Sequence, residues 1–339
     1  MAKPKKRSGG ATAAIVILSI LLCFVIIALA GIGYIYFRLN GIKDINKLLP
    51  GGSNSVEENF EKDSIVDPGS AVYVDADDIS WPDVISEDKV DDEWVYEDSN
   101  IINIMLIGID TGSYVGRSDA MLLFSLNKTT KEVTMTSFMR DMYVQIADGY
   151  SPNKLNAAYA FGGTDLMDKT YLLNFGVKID GHVLVDFESF PAVIDALGGV
   201  DITLTDAEAW EIGYSGSGTY HLDGADALKY ARIRKIDSDF SRTSRQRTVL
   251  NAIFEKYHNL SSGELLSVAN KVLDLVYTDM DAARLLSIGS DFMGVQSIKQ
   301  LRFPGNDEYY DAIIDEMMVL VPDLEMIHER IGSEIYGIN

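Results

Sequence analysis

Cysteine and positive charge are both scarce in this chain. Cys23 is the only cysteine among the 339 residues, so nothing after it can form a disulfide or a thiolate metal site. Lysine and arginine number 29 against 51 aspartates and glutamates, which gives a formal net charge of -22. Because so acidic a surface repels phosphate backbones, general binding to DNA or RNA is excluded and we expect no nucleic-acid partner.

Several common site patterns are also missing from the sequence. It contains no Gly-x-Ser-x-Gly nucleophile motif, no phosphate-binding P-loop and no dinucleotide fingerprint. The four histidines are scattered without metal-ligand spacing, and each is expected to be structural: His182, His221, His258 and His328. The chemistry must therefore be sought in carboxylates and arginines.

Charge is absent altogether from residues 8–37, and residues 11–37 are almost all apolar. At about 1.5 Å per residue this apolar segment reaches about 40 Å, which exceeds a hydrocarbon core of roughly 30 Å. We therefore predict a single transmembrane anchor at 11–37. More positive charge precedes the segment than follows it, which predicts a cytoplasmic tail at 1–10 and a cell-membrane protein with an extracellular domain.

Two other interpretations of the apolar segment stay open. Ala28-Leu29-Ala30 has the small-x-small form of a signal-peptide cleavage site, although the apolar run continues beyond it. Cys23 suggests a lipoprotein, but it lies in the middle of the segment, directly after the bulky Leu22.

Residues 38–100 are predicted to form an acidic extracellular stalk. Acidic side chains recur there and hydrophobic periodicity is weak, so little apolar surface can offset the entropy of ordering. Trp81, Trp94 and Tyr96 are the side chains of this segment that are suited to pack against a folded domain.

Compact structure is predicted from residue 101 to residue 339. Short apolar runs predict strands at 101–109, 120–126, 133–138, 183–187, 200–204 and 298–303. Helical spacing predicts helices at 165–175, 188–197, 222–231, 241–257, 263–277 and 281–293. The alternation of strands with helices, after an early hairpin, favours an α/β layered domain with a mixed central sheet flanked by helices.

Two aspartates stand where adjacent predicted strands end and begin. Asp110 follows the first strand, and Asp119 precedes the second. The ends of neighbouring strands bring such carboxylates together, and these hard oxygen ligands suit Mg²⁺ whose other positions hold water and phosphate oxygens. The alternative is that both aspartates are loop residues that cap turns.

Arginines accompany these carboxylates. Arg117 lies just before Asp119, and Arg140 and Asp141 follow the strand that ends at Phe138. A guanidinium group is a planar fork of donors that matches phosphate oxygens and keeps its charge. Arg140 is therefore a candidate phosphate clamp with Asp141 orienting an arginine, and a structural Arg–Asp pair is the alternative.

Residues 230–247 hold the densest basic cluster of this acidic chain. Its polar members are Arg232, Arg234, Lys235, Arg242, Arg245, Gln246 and Arg247. The first two arginines share one face only if the chain becomes extended after Ala231. Arg242, Arg245 and Gln246 are spaced i, i+3 and i+4, so they share one face of the following helix. The cluster favours phosphate binding over a solvated basic helix face.

Motifs in a fixed order resemble those of the LytR–CpsA–Psr family of bacterial envelope enzymes across roughly residues 101–260. The matching pieces are NIMLIGID at 103–110, RSD at 117–119, SFMRD at 137–141, KLNAAY at 154–159, VDF at 185–187, DALGGV at 195–200, LDG at 222–224, ALKYARIR at 227–234 and DFSRTSRQ at 239–246. The departures are small. Met139 stands where proline is frequent, and Ala120 and Met142 replace threonines.

The resemblance implies a phosphotransferase that moves an anionic glycopolymer from a polyprenyl-pyrophosphate carrier to a peptidoglycan sugar hydroxyl. The polymer is a teichoic acid, a capsule or another glycan. The resemblance further implies that Asp110 and Asp119 bind Mg²⁺ bridging the pyrophosphate. The implied catalytic residues are Arg117, Arg140 and Asp141. The implied pyrophosphate-binding residues are Arg117, Arg140, Arg232, Arg234 and Gln246, with Arg242 and Arg245 either as ligands or as supports behind them.

Three points stay open at this stage. The general base is Asp119, Asp141 or a metal-bound hydroxide. A polyprenyl-pyrophosphate hydrolase, in which water replaces the sugar hydroxyl, is a second possible activity. A non-catalytic, membrane-anchored envelope regulator is a third possibility, although the predicted cytoplasmic tail is too short to fold a DNA-binding domain.

Overall fold

The computed structural model describes residues 41–45, 71–83, 85–86, 89–90, 92–109, 118–186, 189–233, 236, 239–257, 271–292, 295 and 297–338. The predicted tail and anchor at 1–37 and part of the predicted stalk lie outside the described residues. Within these ranges, no helix combines the length and the apolar character needed to span a bilayer.

The elements are numbered in chain order. The strands are β1 (Lys43–Asp44), β2 (Val72–Tyr73), β3 (Ile85–Ser86), β4 (Lys89–Val90), β5 (Ile101–Ile109), β6 (Ser118–Asn127), β7 (Glu132–Phe138), β8 (Tyr143–Val144), β9 (Asn153–Lys154), β10 (Gly181–Asp186), β11 (Val200–Leu204), β12 (Gly218–Leu222), β13 (Tyr277–Thr278), β14 (Ser297–Phe303), β15 (Tyr309–Ile314) and β16 (Met317–Pro322). The helices are α1 (Asn156–Phe175), α2 (Ser189–Ala196), α3 (Asp206–Ile212), α4 (Gly224–Ala231), α5 (Asp239–Tyr257), α6 (Ala282–Phe292) and α7 (Leu324–Ile331).

A mixed sheet lies at the centre, with the order β1-β13-β10-β5-β6-β7-β14 in the described part of the chain. Strand β5 is parallel to β10 and antiparallel to β6, while β7 is antiparallel to β6 and parallel to β14. The carboxyl ends of β5, β7, β10 and β14 therefore lie at one edge of the sheet, together with the start of β6. We call this the carboxyl edge.

Helices cover both faces of this sheet. On β5, Ile102 and Ile104 face a cluster formed with α2, α4 and α5, whereas Met105 and Ile107 face a second cluster formed with α1 and α7. Because β5 is buried on both faces, its sequence is a nearly continuous apolar run, which explains why it is predictable. The expected α/β fold with a mixed sheet flanked by helices is confirmed.

Two predicted helices differ from the structure. Helix α1 begins at Asn156 rather than 165, and Gly162 and Gly163 interrupt it with non-helical backbone angles. The helix predicted at 263–277 is wrong at its end. Tyr277 and Thr278 form β13, where the Thr278 hydroxyl donates to the carbonyl of His182 at 2.6 Å. Strand pairing at the sheet therefore overrides the helical spacing.

The folded part starts earlier than the predicted boundary at residue 101. Trp94 and Tyr96 are buried, and both stack on His328, with ring centroids 3.7 Å and 4.5 Å from it. Strand β2 pairs with β15, and Trp81 stacks on Tyr143 with centroids 6.1 Å apart. The packing that was expected of these aromatic side chains therefore ties this segment to the domain.

His182 is a buried ionic link between the sheet and α1. Its Nδ1 lies 2.6 Å from Asp279 Oδ2, and its Nε2 lies 2.8 Å from Asp168 Oδ1. Burial lowers the pKa of His182, but hydrogen bonds and charge from the two carboxylates outweigh burial and raise that pKa to about 9. The charged imidazole therefore holds β10 to α1 and to the residue that follows β13.

The free energy of unfolding should fall as the pH rises from 6.5 through about 9. A raised folded pKa gives stability that is fully present below the unfolded pKa and is lost as pH passes the folded one. His182→Asn should remove roughly 1–3 kcal/mol of this pH-dependent stability. Urea unfolding between pH 6 and pH 10 measures it, with His221→Asn as the exposed control. Parallel pH profiles for wild type and His182→Asn would contradict the assignment.

Candidate active site

Strand pairing assembles the first two motif clusters at the carboxyl edge. Ile109 and Ser118 are register partners on β5 and β6, and the pairing is irregular between Gly108 and Ile109. On the other side of β6, Met121 pairs with Phe138, the last residue of β7. The end of β7 therefore lies beside the beginning of β6. Three separate motifs thus lie at or next to the ends of three neighbouring strands, β5, β6 and β7.

Some predicted site residues lie outside the described residues: Asp110, Arg117 and Arg234. Asp119 lies on β6 at the irregular pairing, but its side chain is also outside the described part. The assigned roles of these four residues stay predictions.

Arg140 and Asp141 form a buried ionic centre with Lys154. Arg140 Nε lies 3.3 Å from Asp141 Oδ2, and Lys154 Nζ lies 2.5 Å from Asp141 Oδ1. All three side chains are almost fully buried, with exposed fractions of 7%, 3% and 9% for Arg140, Asp141 and Lys154. Two buried cations thus share the Asp141 carboxylate, and buried cations are suitable partners for a bound anion.

Lys154 is a member of this buried ionic centre that the sequence did not single out. A signal was present, because Lys154 opens the KLNAAY motif. Its ion-pair partner, Asp141, is thirteen positions away, and the two-stranded ladder β8–β9 that brings the residues together is very short. Nothing in the local pattern identifies that pairing.

The third motif cluster reaches the same edge through α5. The Thr243 hydroxyl lies 3.6 Å from Met139 Sδ, so the beginning of α5 contacts the residue before Arg140. Arg242, one position earlier, is 3% exposed. Helix α4 ends at Ala231 as predicted, and Arg232 is exposed directly after it.

Arg245 is engaged by other parts of the protein. Its Nε donates to Glu208 Oε1 at 2.8 Å, and its Nη1 donates to the Ile233 carbonyl at 3.1 Å. It therefore ties α5 to α3 and to the chain after α4. Of the two roles left open for Arg245, these contacts favour support behind the phosphate-binding side chains.

An apolar slot opens between the sheet and its helices. Its volume is about 80 Å³, and it is lined by Leu106, Ile107, Gly108, Ala120, Leu122, Val185, Asp186, Phe190, Val193, Ile194, Leu228, Ala231, Gln246, Val249, Leu250 and Ile253. The lining is apolar except for Asp186, the last residue of β10, and Gln246 on α5. Both polar members thus lie toward the end at which the motif clusters gather.

Small residues create the space in this slot. Gly108 and Ala120 are register partners, and a Cβ on Gly108 would lie only 3.1 Å from that of Ala120. Both residues stay partly exposed although they belong to central strands. The residues that line the slot come from three strands and three helices, so no local sequence pattern identifies them.

A larger groove of about 1300 Å³ lies elsewhere, between residues 92–97 and the C-terminal residues 326–338. None of the predicted site residues lines it. Size alone therefore does not locate the site, and the ionic centre with the slot is the better-supported position.

Arg245→Met should destabilise the fold, because it leaves the largely buried Glu208 carboxylate without its ionic partner. We expect a loss of roughly 3 kcal/mol in the free energy of unfolding. Arg284→Met removes a half-exposed partner of Asp180 and should cost less than about 1 kcal/mol. Equal losses in urea unfolding would show that the Arg245 pair is not a structural tie.

Known proteins with similar sequences and structures match most of this chain. TagU of Oceanobacillus iheyensis, a polyisoprenyl-teichoic acid–peptidoglycan teichoic acid transferase, is 35% identical over 259 residues, which cover 72% of this chain and 78% of that protein. The structure of TagT, a Bacillus subtilis protein, bound to LIIa-WTA has a TM-score of 0.59 and 28% identity, covering 70% of this chain and 92% of that one. A TagT structure with bound octaprenyl pyrophosphate lipid has a TM-score of 0.55 and 25% identity, covering 70% and 91%.

The model of the LytR_cpsA_psr family matches residues 73–330. That range contains the carboxyl edge, the ionic centre and the slot, and it begins before the predicted boundary at residue 101. This chain is a member of the LytR–CpsA–Psr family.

Proposed function

We propose that this chain is a phosphotransferase that moves an anionic glycopolymer from a polyprenyl-pyrophosphate carrier to a peptidoglycan sugar hydroxyl. One observation carries the proposal. An apolar slot and a buried ionic centre with two cations, Arg140 and Lys154, converge at the carboxyl edge of a single sheet. A lipid pyrophosphate has the same two parts, an apolar chain and a dianionic or trianionic head. The relative named as a teichoic acid transferase and the family structure with a bound prenyl pyrophosphate support this substrate class, and they favour teichoic acid as the polymer.

We assign the two parts of the donor to two regions. The prenyl chain would enter between the Gly108–Ala120 pair and α5. The diphosphate would lie between Gln246, at the polar end of the slot, and the ionic centre of Arg140 and Lys154. Helix α5 links these regions, because Thr243 contacts Met139 beside Arg140, while Gln246, three positions later, lines the slot. Arg117, Arg232, Arg234 and Arg242 complete the predicted phosphate-binding set.

The slot must widen when the lipid enters. Its volume of about 80 Å³ is far below the roughly 300–1,000 Å³ of ordinary small-molecule pockets. The helices α2, α4 and α5 cover it from one side, so a shift of these helices away from β5 and β6 is the simplest way to admit the chain.

Mg²⁺ fits the aspartates at this edge. Asp110 and Asp119 adjoin Ile109 and Ser118, which are register partners, and carboxylates are hard oxygen ligands. Within the described residues, no group of three acidic, histidine or cysteine side chains is placed to hold a metal. The two aspartates would share the ion with water and phosphate oxygens, since Mg²⁺ usually keeps several waters. Bound there, Mg²⁺ would neutralise charge on the diphosphate.

The reaction needs positioning and charge neutralisation more than covalent help. The acceptor oxygen forms a bond to the phosphorus that carries the polymer, and the bond from that phosphorus to the bridging oxygen breaks. Polyprenyl monophosphate leaves, and Arg140 and Lys154 offset the charge that develops on it. The acceptor hydroxyl gives its proton to a carboxylate.

Asp141 is poorly suited to take that proton. Its two oxygens face Lys154 at 2.5 Å and Arg140 at 3.3 Å, so protonation would break up the ionic centre. We assign Asp141 to holding the two cations in place.

The proposed location is the outer side of the cell membrane. Residues 11–37 are apolar and uncharged, and they are long enough to anchor the chain. The acceptor, peptidoglycan, and the prenyl carrier meet only at that membrane surface. A single-pass anchor with its N-terminus inside satisfies both requirements.

Arg140→Ala should lower transfer by at least about 100-fold, because it removes a guanidinium from the phosphate site. The assay joins a polymer from a purified lipid carrier to peptidoglycan in the presence of Mg²⁺. Arg284→Ala, which alters a half-exposed pair, is the matched control. Full activity of Arg140→Ala would refute the assigned role, and polymer release that is unchanged by peptidoglycan would favour hydrolysis. Donor binding without turnover by the wild type would favour the regulator.

Ala120→Leu should discriminate between long and short prenyl chains. The added side chain fills the slot opposite Gly108 and leaves the ionic centre unchanged. We expect KM to rise roughly tenfold for a long-chain donor and to change little for a donor with one or two prenyl units. The more conservative Ala120→Ser serves as the control. Equal effects on both donors would show that the tail does not occupy this slot.

A further inference from the structure

Two arginines that the proposed reaction does not use lie on the α5 face of the sheet, next to the carboxyl edge. Arg247 extends from α5 and donates its Nη1 to Ser137 Oγ at 3.0 Å. Arg302 is the register partner of Ser137 on the adjacent strand β14. Because paired residues on neighbouring strands point to the same face, Arg302 lies on the side from which Arg247 approaches.

These two guanidinium groups repel each other. Burial lowers the pKa of Arg247, and the charge of Arg302 lowers it further. In the described part of the chain, Ser137 is the hydrogen-bond partner of Arg247 and no carboxylate lies within ion-pair distance of it. A half-buried charge with a neutral partner and a like charge nearby is costly, and an anion would relieve the cost.

The environment of Arg302 fits the same interpretation. Its Nε donates to the Pro304 carbonyl at 3.0 Å, and its Nη2 donates to Asn306 Oδ1 at 2.7 Å. Glu308 lies close enough for its charge to act on Arg302. That carboxylate also forms an ion pair with Arg330, whose Nε is 2.7 Å away, and accepts a hydrogen bond from the Gly305 N–H at 2.6 Å. The contacts with Pro304 and Asn306 fix the position of the Arg302 guanidinium.

The position distinguishes this pair from the diphosphate site. Gln246 faces the lipid slot, whereas Arg247, the next residue, faces β7 and the edge strand β14. Thr243, one helical turn before Arg247, touches Met139 beside the ionic centre. The pair therefore lies about one turn from the proposed diphosphate position and away from the tail.

We propose that Arg247 and Arg302, with Ser137, form a second anion site that binds a phosphodiester group of the polymer attached to the donor. This inference rests on the proposed function. In the donor, the prenyl tail and the polymer are attached to opposite ends of the diphosphate. A tail in the slot therefore directs the polymer away from β5 and toward β14. The site favours donors whose glycan repeats carry negative charge over donors with a neutral glycan.

The test uses two water-soluble probes on the full chain in detergent. One is a glycerol-phosphate oligomer, which has phosphodiesters but neither diphosphate nor tail. The other is geranyl pyrophosphate with Mg²⁺, which has no polymer. Arg247→Gln and Arg302→Gln should each weaken binding of the oligomer at least about tenfold and leave geranyl pyrophosphate within about twofold. Arg284→Gln removes one charge elsewhere and should change neither affinity.

Stability separates an anion site from a structural pair. Because Arg247→Gln relieves repulsion, its Tm without ligand should equal or exceed that of the wild type, and the oligomer should raise the Tm of the wild type only. Arg247→Lys keeps the charge and should retain part of the oligomer affinity.

Three results would overturn the proposal. The first is unchanged oligomer affinity in both glutamine variants. The second is an equal loss for both probes, which would place the pair in the diphosphate site or indicate damage to the fold. The third is a lower Tm of Arg247→Gln without ligand. Neither probe requires turnover, so a wild type that binds the oligomer but transfers no polymer would contradict the proposed function alone.

Discussion

The position of β5 at the centre of the sheet is the constraint on which the rest of the structure depends. Strand β5 runs parallel to β10 and antiparallel to β6. Because β7 is antiparallel to β6 and β14 is parallel to β7, both of these strands run in the direction of β5. The strand ends of this sheet that carry family motifs therefore all lie at one edge. Ligands of open α/β sheets bind at the carboxyl ends of strands for the same reason, because loops there are free to converge. Here the residues after β7 bring Arg140 and Asp141 to this edge, near the polar end of the apolar slot.

An acidic protein that handles an anionic substrate must concentrate its cations. The net charge of -22 would repel a polyanion over most of the surface. Within the described residues, buried positive charge gathers around Asp141 and on the first turns of α5. Charges removed from water act strongly on a bound phosphate, but they are costly while no anion is present. The ionic centre limits that cost by sharing one carboxylate between Arg140 and Lys154.

The central strands could be predicted from the sequence because a strand buried on both faces needs apolar side chains on both faces. Residues 101–109 are largely buried on both faces and form a nearly continuous apolar run that ends at a motif residue. Asp223 directly precedes α4, as a typical N-cap residue does, and its carboxylate accepts from the Asp226 N–H at 2.9 Å. These signals depend only on neighbouring residues, so they can be recognised in the sequence without knowledge of the fold.

Other features left little local signal. The hairpin of β15 and β16 turns through Asp315 and Glu316, both with positive φ, where glycine or asparagine would have marked a turn. The pair of Arg245 with Glu208 spans 37 positions, and the slot draws on residues from 106 to 253. Motif spacing identified which residues matter, but the partner of each side chain depends on contacts between distant segments.

A ligand-bound crystal structure tests the central claim most directly. The domain would be crystallised with a short-chain prenyl pyrophosphate and Mg²⁺. The account predicts that the diphosphate lies within hydrogen-bond distance of Arg140 and Gln246, with the chain between α5 and the Gly108–Ala120 pair. A diphosphate bound in the groove between residues 92–97 and the C-terminus, with the slot empty, would contradict it.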